Sequence, residues 1–435
     1  MLDRLPPAPA YWVAYSGGVD SHALLHLLWR NRTELPGPLG AVHVDHQLQG
    51  QSGDWAIHCR AVCEELGVAF HALKVQARPR PGESPEAAAR AARYRGLADW
   101  LGEGHVLVSG QHLDDQAETL LLQLFRGAGP RGLAAMPERA PLGRGWLVRP
   151  MLPVRRDEIL AYARQQHLRW VEDPSNTDLR YHRNLLRQRL MPELRLHWPG
   201  IARVLARAAR HQADQLELAD ALARQDFNAC AIGAGRWLSR SALAGLSPAR
   251  QRNLLRYWVG LNALPLPAEA VVERVRREML YSGDDARPRV HWPGAEVRRH
   301  RDRLYLMPPL SQVYADARHA WDGRETLTLE RAGGRLSAQP ANGCGLRMPP
   351  QGGLFEVCFR RGGEVLQPVG RDHHHALKKL FQAWGVPEWE RARVPLIYLD
   401  HRLVAVAGLC VAEGFQAPPG EPGIELHWSR ISNWQ

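Results

Sequence analysis

The chain has 435 residues, of which 45% are hydrophobic and 23% charged, and its net charge at pH 7 is +11. This length predicts two or three domains that each bury a core, and the positive charge favours nucleic acid as a partner. Six cysteines in a chain of this size do not form a disulfide scaffold, and none of them is in a C-x-x-C pair. The N-terminus does not resemble a signal peptide, and no apolar run is long enough to span a membrane. We therefore predict a cytoplasmic protein.

A glycine loop marks the first strand-to-helix transition. The run Ser16-Gly17-Gly18-Val19-Asp20-Ser21 follows the apolar residues 11–15 and precedes the helix-like residues 23–28. Two adjacent glycines let successive backbone N–H groups converge on an anion at a helix N-terminus. The loop lacks the lysine that grips the β- and γ-phosphates in G-x-x-x-x-G-K-[ST] loops, so it favours chemistry at an α-phosphate. An ordinary strand-to-helix turn is the alternative interpretation.

Strands and helices alternate from this loop to about residue 190. The apolar patterns predict strands over 39–44, 68–75 and 105–109, and helices over 54–66, 86–101 and 114–125. Such alternation is typical of a doubly wound, Rossmann-like parallel sheet in an α/β domain. Ligands of these folds bind beyond the carboxyl ends of the strands, where the glycine loop is expected to lie.

An acidic helix start follows the predicted strand over 105–109. It begins at His112, and Asp115 and Glu118 lie three residues apart on one helix face. Carboxylates at this edge can hold Mg²⁺ against phosphates, because Mg²⁺ takes few protein oxygens, and this predicts a metal site shared by Asp20 and Asp115. His112 is a candidate acid, base or phosphate donor. A helix start capped by an aspartate is the alternative.

Beyond residue 191 the pattern becomes helical and basic, and then changes to short strands. It predicts helices over 196–222 and 248–261, a hairpin formed by 290–292 and 304–306, and a linker at 307–309. A segment rich in glycine and proline follows and predicts strands over 355–359 and 403–406 and a helix over 376–384. We therefore predict a catalytic α/β domain over 1–190, a mostly helical basic domain over 191–309, and a small α+β domain over 310–435.

Several motifs, in order, resemble the tRNA(Ile)-lysidine synthetase family, whose members are N-type ATP pyrophosphatases with a PP-loop. The matching blocks of the first domain are Ser16-Gly17-Gly18-Val19-Asp20-Ser21, His43-Val44-Asp45-His46, Glu86-x-x-Ala89-Arg90-x-x-Arg93-Tyr94, His112-x-x-Asp115-x-x-Glu118-Thr119, Arg126-Gly127-x-Gly129-x-x-Gly132-Leu133, and Asp173-x-Ser175-Asn176 followed by Arg183-Asn184-x-x-Arg187. Residues 359–364 and 377–391 resemble the C-terminal domain of the longer members. Asp45 and Gln49 depart from the family pattern, which leaves their contacts open.

The resemblance implies an enzyme that uses ATP and Mg²⁺ to modify a tRNA. It would adenylate O2 of the wobble cytidine, at position 34, in a minor isoleucine tRNA with a CAU anticodon. Free L-lysine would then displace AMP, giving lysidine and changing codon and amino-acid identity from Met to Ile. The loop from Ser16 to Ser21 would hold ATP, and backbone groups of His43 and Val44 would contact its adenine. The residues expected in catalysis are Asp20, His112 and Asp115, and family members often form homodimers.

Arginines are the candidate contacts to the tRNA, because their planar side chains donate to phosphates in pairs. The candidates are Arg93, Arg126, Arg131, Arg180, Arg183 and Arg187. The two later domains would grip the body of the tRNA, and such contacts position rather than specify. A solvated surface role is the alternative for each arginine. The run His373-His374-His375 predicts RNA-facing or surface histidines rather than a metal site, because adjacent side chains diverge.

Two further function classes stay open at this point. A PP-loop enzyme that thiolates tRNA would use the same adenylation, but the enzymes of that kind that resemble this chain most carry C-x-x-C pairs, which are absent here. A basic RNA-binding protein with an inert nucleotide loop is the third hypothesis. The presence of Asp20, Asp115 and Glu118 counts against it.

Overall fold

The structure is a computed structural model that describes residues 1–45, 52–76, 85–172, 177–349 and 353–430. The chain divides into two compact units, Met1–Ala219 and Asp220–Gln435. Within the described segments, no helix is long and apolar enough to cross a membrane.

The first unit alternates strands with helices along most of its length. Its described strands are β1 (Tyr11–Ala14), β2 (Leu39–Asp45), β3 (Ala69–Lys74), β4 (Val106–Val108), β5 (Arg139–Leu142) and β6 (Gly145–Val148). Its described helices are α1 (Val19–Arg30), α2 (Ser52–Glu65), α3 (Pro85–Trp100), α4 (Leu113–Phe125), α5 (Pro130–Leu133), α6 (Arg156–Gln165), α7 (His182–Leu185), α8 (Met191–His197) and α9 (Ile201–Cys230), which runs past residue 219. Short 3-10 turns cover Leu2–Arg4 and Arg32–Glu34, and a π-helical turn covers Leu186–Leu190.

The strands of this unit form one sheet in the order β3-β2-β1-β4-β6-β5. β1 pairs in parallel with β2 and β4, so that Tyr11 lies opposite Leu39 on one side and Val106 on the other. The expected doubly wound parallel sheet is confirmed, and its strand order reverses between β1 and β4, where such folds bind their ligands. The antiparallel hairpin of β5 and β6 was not predicted. Pro141 in β5 is typical of a loop and is tolerated in a strand only at a sheet edge.

Alternate residues of β1 pack on opposite faces of the sheet, as the period of a strand requires. Tyr11 and Val13 are fully buried in the cluster that contains Leu24 of α1. Trp12 packs on the other face, against the cluster that contains Leu101 at the end of α3. Helices cover both faces, which explains why the strands read as nearly continuous apolar runs.

The helix predicted over 196–222 is wrong at its start. α8 ends before Trp198, and α9 begins at Ile201, whose N–H donates to the Trp198 carbonyl at 2.9 Å. Pro199 and Gly200 lie between the two helices. Proline has no backbone N–H and glycine loses the most conformational entropy in a helix, so the pair interrupts an otherwise helical pattern.

The second unit contains helices and several antiparallel sheets. Its described helices are α10 (Arg240–Ala244), α11 (Pro248–Leu261), α12 (Glu269–Tyr281), α13 (Leu377–Ala383) and α14 (Glu388–Arg391), with a 3-10 turn at Glu330–Ala332. Its described strands are β7 (Ala231–Ile232), β8 (Trp237–Ser239), β9 (Arg289–Trp292), β10 (Ala295–His300), β11 (Arg303–Met307), β12 (Arg318–Trp321), β13 (Leu327–Leu329), β14 (Gly334–Asn342), β15 (Leu346–Arg347), β16 (Phe355–Cys358), β17 (Val365–Leu366), β18 (His375–Ala376), β19 (Leu396–Leu399), β20 (Arg402–Val406), β21 (Cys410–Val411) and β22 (Pro422–Arg430). The sheets have the orders β7-β8-β11-β10-β9, β12-β16-β19-β20-β21 and β13-β14-β22-β15, and β17 pairs with β18. The predicted helical region and the α+β character of the C-terminal segment are confirmed.

The hairpin predicted from 290–292 and 304–306 is wrong in its pairing. The two segments lie in β9 and β11, and both pair with β10, which was not predicted. The polar residues of β10 hide its strand character in the sequence. Its Glu296 is fully buried, and Arg289 and Arg298 each donate to this carboxylate at 2.8 Å. A buried charge of this kind persists only when it is paired.

Candidate functional site

The glycine loop connects β1 to α1. Gly17 has a φ of +84°, in the left-handed region that favours glycine. Gly18 follows in extended conformation and caps α1, while Val19 begins the helix and is buried. The Ser21 hydroxyl donates to the Gly18 carbonyl at 3.0 Å and lies 3.1 Å from the Ser16 hydroxyl. The loop is therefore closed on itself and delivers the chain to a helix N-terminus.

Two neighbouring segments hold this loop from outside. The Val171 N–H donates to the Gly17 carbonyl at 3.0 Å. A Cβ atom added to Gly110, which follows β4, would lie 2.9 Å from the Asp20 carbonyl oxygen and 3.1 Å from the Ser21 nitrogen. This close approach requires a glycine and brings the carboxyl ends of β1 and β4 together at the point where the strand order reverses.

The first turn of α1 is suited to binding an anion. Its leading N–H groups have no acceptor within the helix, and they lie at the positive end of the helix dipole. Asp20 lies in this turn and is 29% exposed, and its Oδ1 is buried without a hydrogen-bond partner among the described residues. The turn therefore offers donors to phosphates and one uncommitted carboxylate oxygen to a cation.

His112 lies between three carboxylates at the start of α4. Its side chain is fully buried, and its Nε2 lies 3.6 Å from Asp20 Oδ2 and 3.4 Å from Asp115 Oδ2. Its Nδ1 lies 3.7 Å from Asp114 Oδ2. The backbone N–H of His112 donates to Asp115 Oδ2 at 3.1 Å, which fixes this carboxylate at the helix start. The structure therefore brings together the three residues predicted for catalysis, Asp20, His112 and Asp115.

The charges around His112 change its pKa and the pKa of Asp115. Burial lowers the pKa of His112, but the carboxylates of Asp20 and Asp115 outweigh burial and raise this pKa above its ordinary value. Burial raises the pKa of Asp115, but His112, Arg183 and Arg187 outweigh burial and lower it. His112 therefore holds a proton to higher pH than a free histidine does, while Asp115 stays ionised.

The raised pKa of His112 predicts that its stabilising effect depends on pH. The protonated ring gains from its carboxylate neighbours, so its contribution is complete below the ordinary histidine pKa of about 6.5 and is lost as the pH rises through the higher pKa of the folded state. We expect the difference in free energy of unfolding between the native chain and His112→Gln to shrink from about pH 6 upwards. Thermal unfolding across this range measures it, with the exposed His182→Gln as the control. A difference that stays constant with pH would contradict the assignment.

Arg183 and Arg187 bind the carboxylates of α4. Arg183 donates from Nε to Glu118 at 2.8 Å and from a terminal nitrogen to Asp115 at 3.0 Å. Arg187 donates to Glu118 at 2.7 and 3.0 Å and to Asp115 at 2.7 Å. Glu118 is only 2% exposed, so these two arginines balance its buried charge. Arg187 lies in the π-helical turn Leu186–Leu190, an uncommon element that is frequent at functional sites.

Asp114 is a member of the site that the sequence did not single out. Its Oδ2 accepts from the Arg156 N–H at 3.0 Å at the start of α6, and its Oδ1 accepts from Arg195 of α8. It therefore ties α4 to two later helices and lies beside the His112 ring. A signal was present, because Asp114 stands next to Asp115 in the sequence, but its partners lie far along the chain.

The residues at this edge fit a magnesium ion in part. Mg²⁺ takes one or two protein carboxylates and completes its coordination with water and substrate phosphates. Within the described part of the chain Asp20 Oδ1 has no hydrogen-bond partner, whereas both oxygens of Asp115 already accept hydrogen bonds, one from His112 and the other from Arg183 and Arg187. Asp20 is therefore the better metal ligand of the two. No group of three or more metal-binding side chains occurs among the residues that the structure describes.

His43 and Val44 lie at the end of β2, beside the loop. His43 is buried, and its Nδ1 lies 2.9 Å from the Tyr15 carbonyl, which requires the hydrogen on that nitrogen. Burial lowers the pKa of His43, although the Tyr15 carbonyl and Asp45 oppose this effect. Val44 is partly buried against the apolar cluster beneath α3. The neutral His43 side chain therefore supports the end of β1, and adenine contact by backbone groups of His43 and Val44 stays a prediction.

The remaining arginine candidates lie on the surface of the first unit. Arg93 on α3, Arg126 at the C-terminal end of α4 and Arg131 in α5 have exposed side chains. Arg180 is 89% exposed and pairs with Asp178 at 2.7 Å. His46, Gln49, Asp173, Ser175 and Asn176 of the sequence motifs lie outside the described residues, as does the side chain of Glu86.

The conformation of Gly17 predicts the effect of a single methyl group. An alanine at position 17 would have to adopt the left-handed backbone conformation, which lowers the free energy of unfolding by about 1–2 kcal/mol. Its Cβ would also lie 3.1 Å from the Cys59 sulfur. Gly67 is the matched control, because it has a φ of +64° with nothing within 4 Å of an added Cβ. We expect both alanine variants to lose stability in chemical denaturation, Gly17→Ala the more because of its contact with Cys59, and only Gly17→Ala to lose affinity for ATP in calorimetry. Equal ATP affinities would show that the loop does not bind the nucleotide.

Three family models match this chain. They are a PP-loop domain over residues 3–194, a TilS substrate binding domain over 238–305 and a TilS substrate C-terminal domain over 355–428.

Curated relatives match along nearly the whole length. The tRNA(Ile)-lysidine synthase of Coxiella burnetii is 42% identical over 95% of this chain and 92% of its own length. The one of Methylococcus capsulatus is 44% identical over 98% of this chain and 97% of its own length. The one of Pseudomonas aeruginosa is 42% identical over 100% of this chain and 97% of its own length. With its PP-loop domain, its parallel sheet and these relatives, the chain belongs to the tRNA(Ile)-lysidine synthase family.

Proposed function

We propose that this chain ligates free L-lysine to C2 of the wobble cytidine of an isoleucine tRNA with a CAU anticodon, with cleavage of ATP to AMP and pyrophosphate. The observation that carries the proposal is the meeting of three parts at one sheet edge: the phosphate loop, the uncommitted oxygen of Asp20, and the buried His112 between Asp20 and Asp115. A phosphate-binding loop alone would indicate only that the chain binds a nucleotide. That the adenylyl group goes to a tRNA is inferred from the family of the chain.

The reaction needs two steps because the oxygen on C2 of cytosine is a poor leaving group. In the first step O2 of the cytidine attacks the α-phosphorus of ATP, and the bond to the bridging oxygen of the β-phosphate breaks to release pyrophosphate. In the second step the ε-amine of lysine attacks C2, and the C–O bond breaks to release AMP. Adenylation therefore converts a poor leaving group into a good one.

The loop and the start of α1 stabilise the pyrophosphate as it leaves. Negative charge develops on the β-phosphate, and fixed backbone N–H groups meet this charge without reorganisation. The hydroxyls of Ser16 and Ser21, which lie 3.1 Å apart, add two further donors at the same place. Asp20, with Asp115 as a second candidate, would hold Mg²⁺, whose charge neutralises the phosphates when it is bound.

His112 is the better of the two candidates for the proton of the lysine ammonium. Only the neutral amine is a nucleophile, so a base must take this proton before or during attack. The raised pKa of His112 makes its neutral form a stronger base than the Asp115 carboxylate, whose pKa is lowered, so His112 accepts the proton in those molecules in which its ring is neutral. We assign Asp115 to holding the His112 ring, together with Asp20.

The tRNA contacts divide into two groups. Arg93, Arg126 and Arg131 have exposed side chains and are assigned to the anticodon loop or its phosphates. Arg183 and Arg187 bind Asp115 and Glu118, which supports a positioning role for them. We assign the segments 191–309 and 310–435 to the body of the tRNA, because the net charge of +11 favours a polyanion. A cytoplasmic location fits this substrate.

The test is incorporation of labelled lysine into unmodified isoleucine tRNA with a CAU anticodon, in the presence of ATP and Mg²⁺. We expect one label per tRNA at the wobble base, and none when ATP is omitted or when the wobble base is changed to uridine. Absence of label under all conditions would contradict the proposal. Sulfur transferred from a labelled donor instead of lysine would identify a thiolation enzyme.

A further inference from the structure

A groove of about 610 Å³ lies between the C-terminal end of α4 and the segment from α7 to α8. Its lining residues are Leu122, Phe125, Arg126, His182, Leu185, Leu186, Arg189, Leu190 and Glu193. This volume is in the range of sites that take a small organic group, about 300–1,000 Å³. Of these residues only Arg126 has a role in the function proposed above, as a contact to the anticodon loop or its phosphates, and the apolar walls have none.

The walls of the groove are apolar side chains that stay open to solvent. Phe125 is 64% exposed, Leu185 44% and Leu190 36%. Large exposed apolar residues that cluster mark a binding surface more often than scattered ones do. An exposed aromatic ring among them offers a flat face on which a second ring can stack.

The rim of the groove is cationic. Arg126 and Arg189 are exposed, and neither forms an ion pair within the part of the chain that the structure describes. His182 adds a third nitrogen-bearing side chain. The acid on the rim, Glu193, lies 3.6 Å from His197 on the same helix. An apolar floor with two unpaired arginines above it matches a base with its phosphates.

The groove is connected to the site by two elements. α4 carries Asp115 near its start and Phe125 at its end, which a rise of about 1.5 Å per residue separates by about 15 Å. The segment that forms the opposite wall also carries Arg183 and Arg187, which bind Asp115 and Glu118. A nucleotide in the groove would therefore belong to the same loop as a cytidine held at Asp115.

We propose that this groove binds an unpaired base of the anticodon loop next to the wobble cytidine, with its phosphates on Arg126 and Arg189. The proposal rests on the proposed function. Proteins take bases from single-stranded loops by stacking them on aromatic rings and by pairing cations with the backbone. A second copy of this chain fits less well, because a two-fold contact would place the two arginines of one copy against those of the other.

The test uses an anticodon stem–loop RNA with 2-aminopurine in place of the middle anticodon base. Stacking on the protein changes its fluorescence, which gives both affinity and environment. We expect Phe125→Leu, which keeps apolar bulk but loses the ring, to bind about tenfold more weakly, and Phe125→Tyr to bind as the native chain does. Arg189→Ala should reduce the slope of log affinity against log salt by about 0.7.

The controls separate this inference from the proposed function. Ile57→Ala, at an exposed apolar position on α2, should leave RNA binding unchanged. If Phe125→Leu and Phe125→Tyr bind the RNA as tightly as the native chain and still label tRNA with lysine, the groove does not bind the base. The proposed function would be unaffected by that result. A native chain that neither binds nor labels tRNA would overturn both. Analytical ultracentrifugation measures the oligomeric state of the native chain and of Phe125→Leu. If the native chain is a dimer, and Phe125→Leu is a monomer with unchanged RNA affinity, the groove binds a second copy of the chain instead of a base.

Discussion

Replacing Asp20 with asparagine is expected to slow adenylation of the tRNA at least about 100-fold, the order of loss seen when one electrostatic element of a transition state is removed. Asparagine keeps the shape of the side chain, but it removes the negative charge beside His112 and replaces one of the two carboxylate oxygens with an amide nitrogen that cannot bind Mg²⁺. The rate is measured as release of pyrophosphate in a single turnover without lysine, so that the first step is observed alone.

Two comparisons make this result specific. Asp99→Asn changes an exposed aspartate on α3 and should leave the rate unchanged. Asp20→Asn should still fold, with a loss of stability confined to low pH, because the attraction that it removes is the one between Asp20 and protonated His112, 3.6 Å away. An adenylation rate within threefold of the native value would show that Asp20 is not at the reacting phosphate.

Replacing Arg187 with methionine is expected to lower the free energy of unfolding by about 3 kcal/mol, as removal of one partner from a buried ion pair does. Glu118 is 2% exposed, and its Oε1 accepts from Arg187 at 2.7 Å. Without Arg187 this oxygen is left without a hydrogen-bond donor among the residues that the structure describes. Arg183 still donates to the other oxygen, so the chain should fold but unfold at lower denaturant concentration.

Arg180→Met is the matched control for this prediction. Arg180 lies in the same segment and forms an ion pair with Asp178, but it is 89% exposed. Exposed pairs contribute about 0–1 kcal/mol, because water competes for both charges. Equal losses in the two variants would contradict the view that Arg187 balances a buried carboxylate. In the Arg187→Met, Glu118→Met double variant, part of the lost stability should return, since neither charge is then left alone.

The sequence predicts those parts of the fold and site that arise from neighbouring residues. The glycine loop is recognisable because strand, turn and helix start follow one another within a few positions. His112 and Asp115 are recognisable because a helix start places them on the strand-end side of α4. The parallel sheet follows from apolar strands alternating with helices, since such strands are buried on both faces.

Contacts between distant residues could not be predicted in the same way. Arg183 and Glu118 are 65 positions apart, and Arg195 and Asp114 are 81 apart, with no local pattern that links either pair. Arg183 and Arg187 were predicted to contact RNA because an arginine side chain donates to phosphates in pairs, whereas in the folded chain both of them bind the carboxylates of Asp115 and Glu118. Burial of the polar strand β10 depends likewise on partners from neighbouring strands, which no short window of sequence contains.

The packing of Cys59 beneath Gly17 gives the protein an internal reporter of loop motion. Burial, and to a lesser extent Cys63, raises the pKa of the Cys59 thiol to about 12. A buried thiol of this kind reacts with an alkylating reagent only in molecules whose surroundings have opened. Cys344 is exposed and supplies the reference rate within the same chain. The ratio of the two labelling rates therefore measures how often the packing around Cys59, which includes Gly17 of the glycine loop, opens to solvent, without any engineered probe.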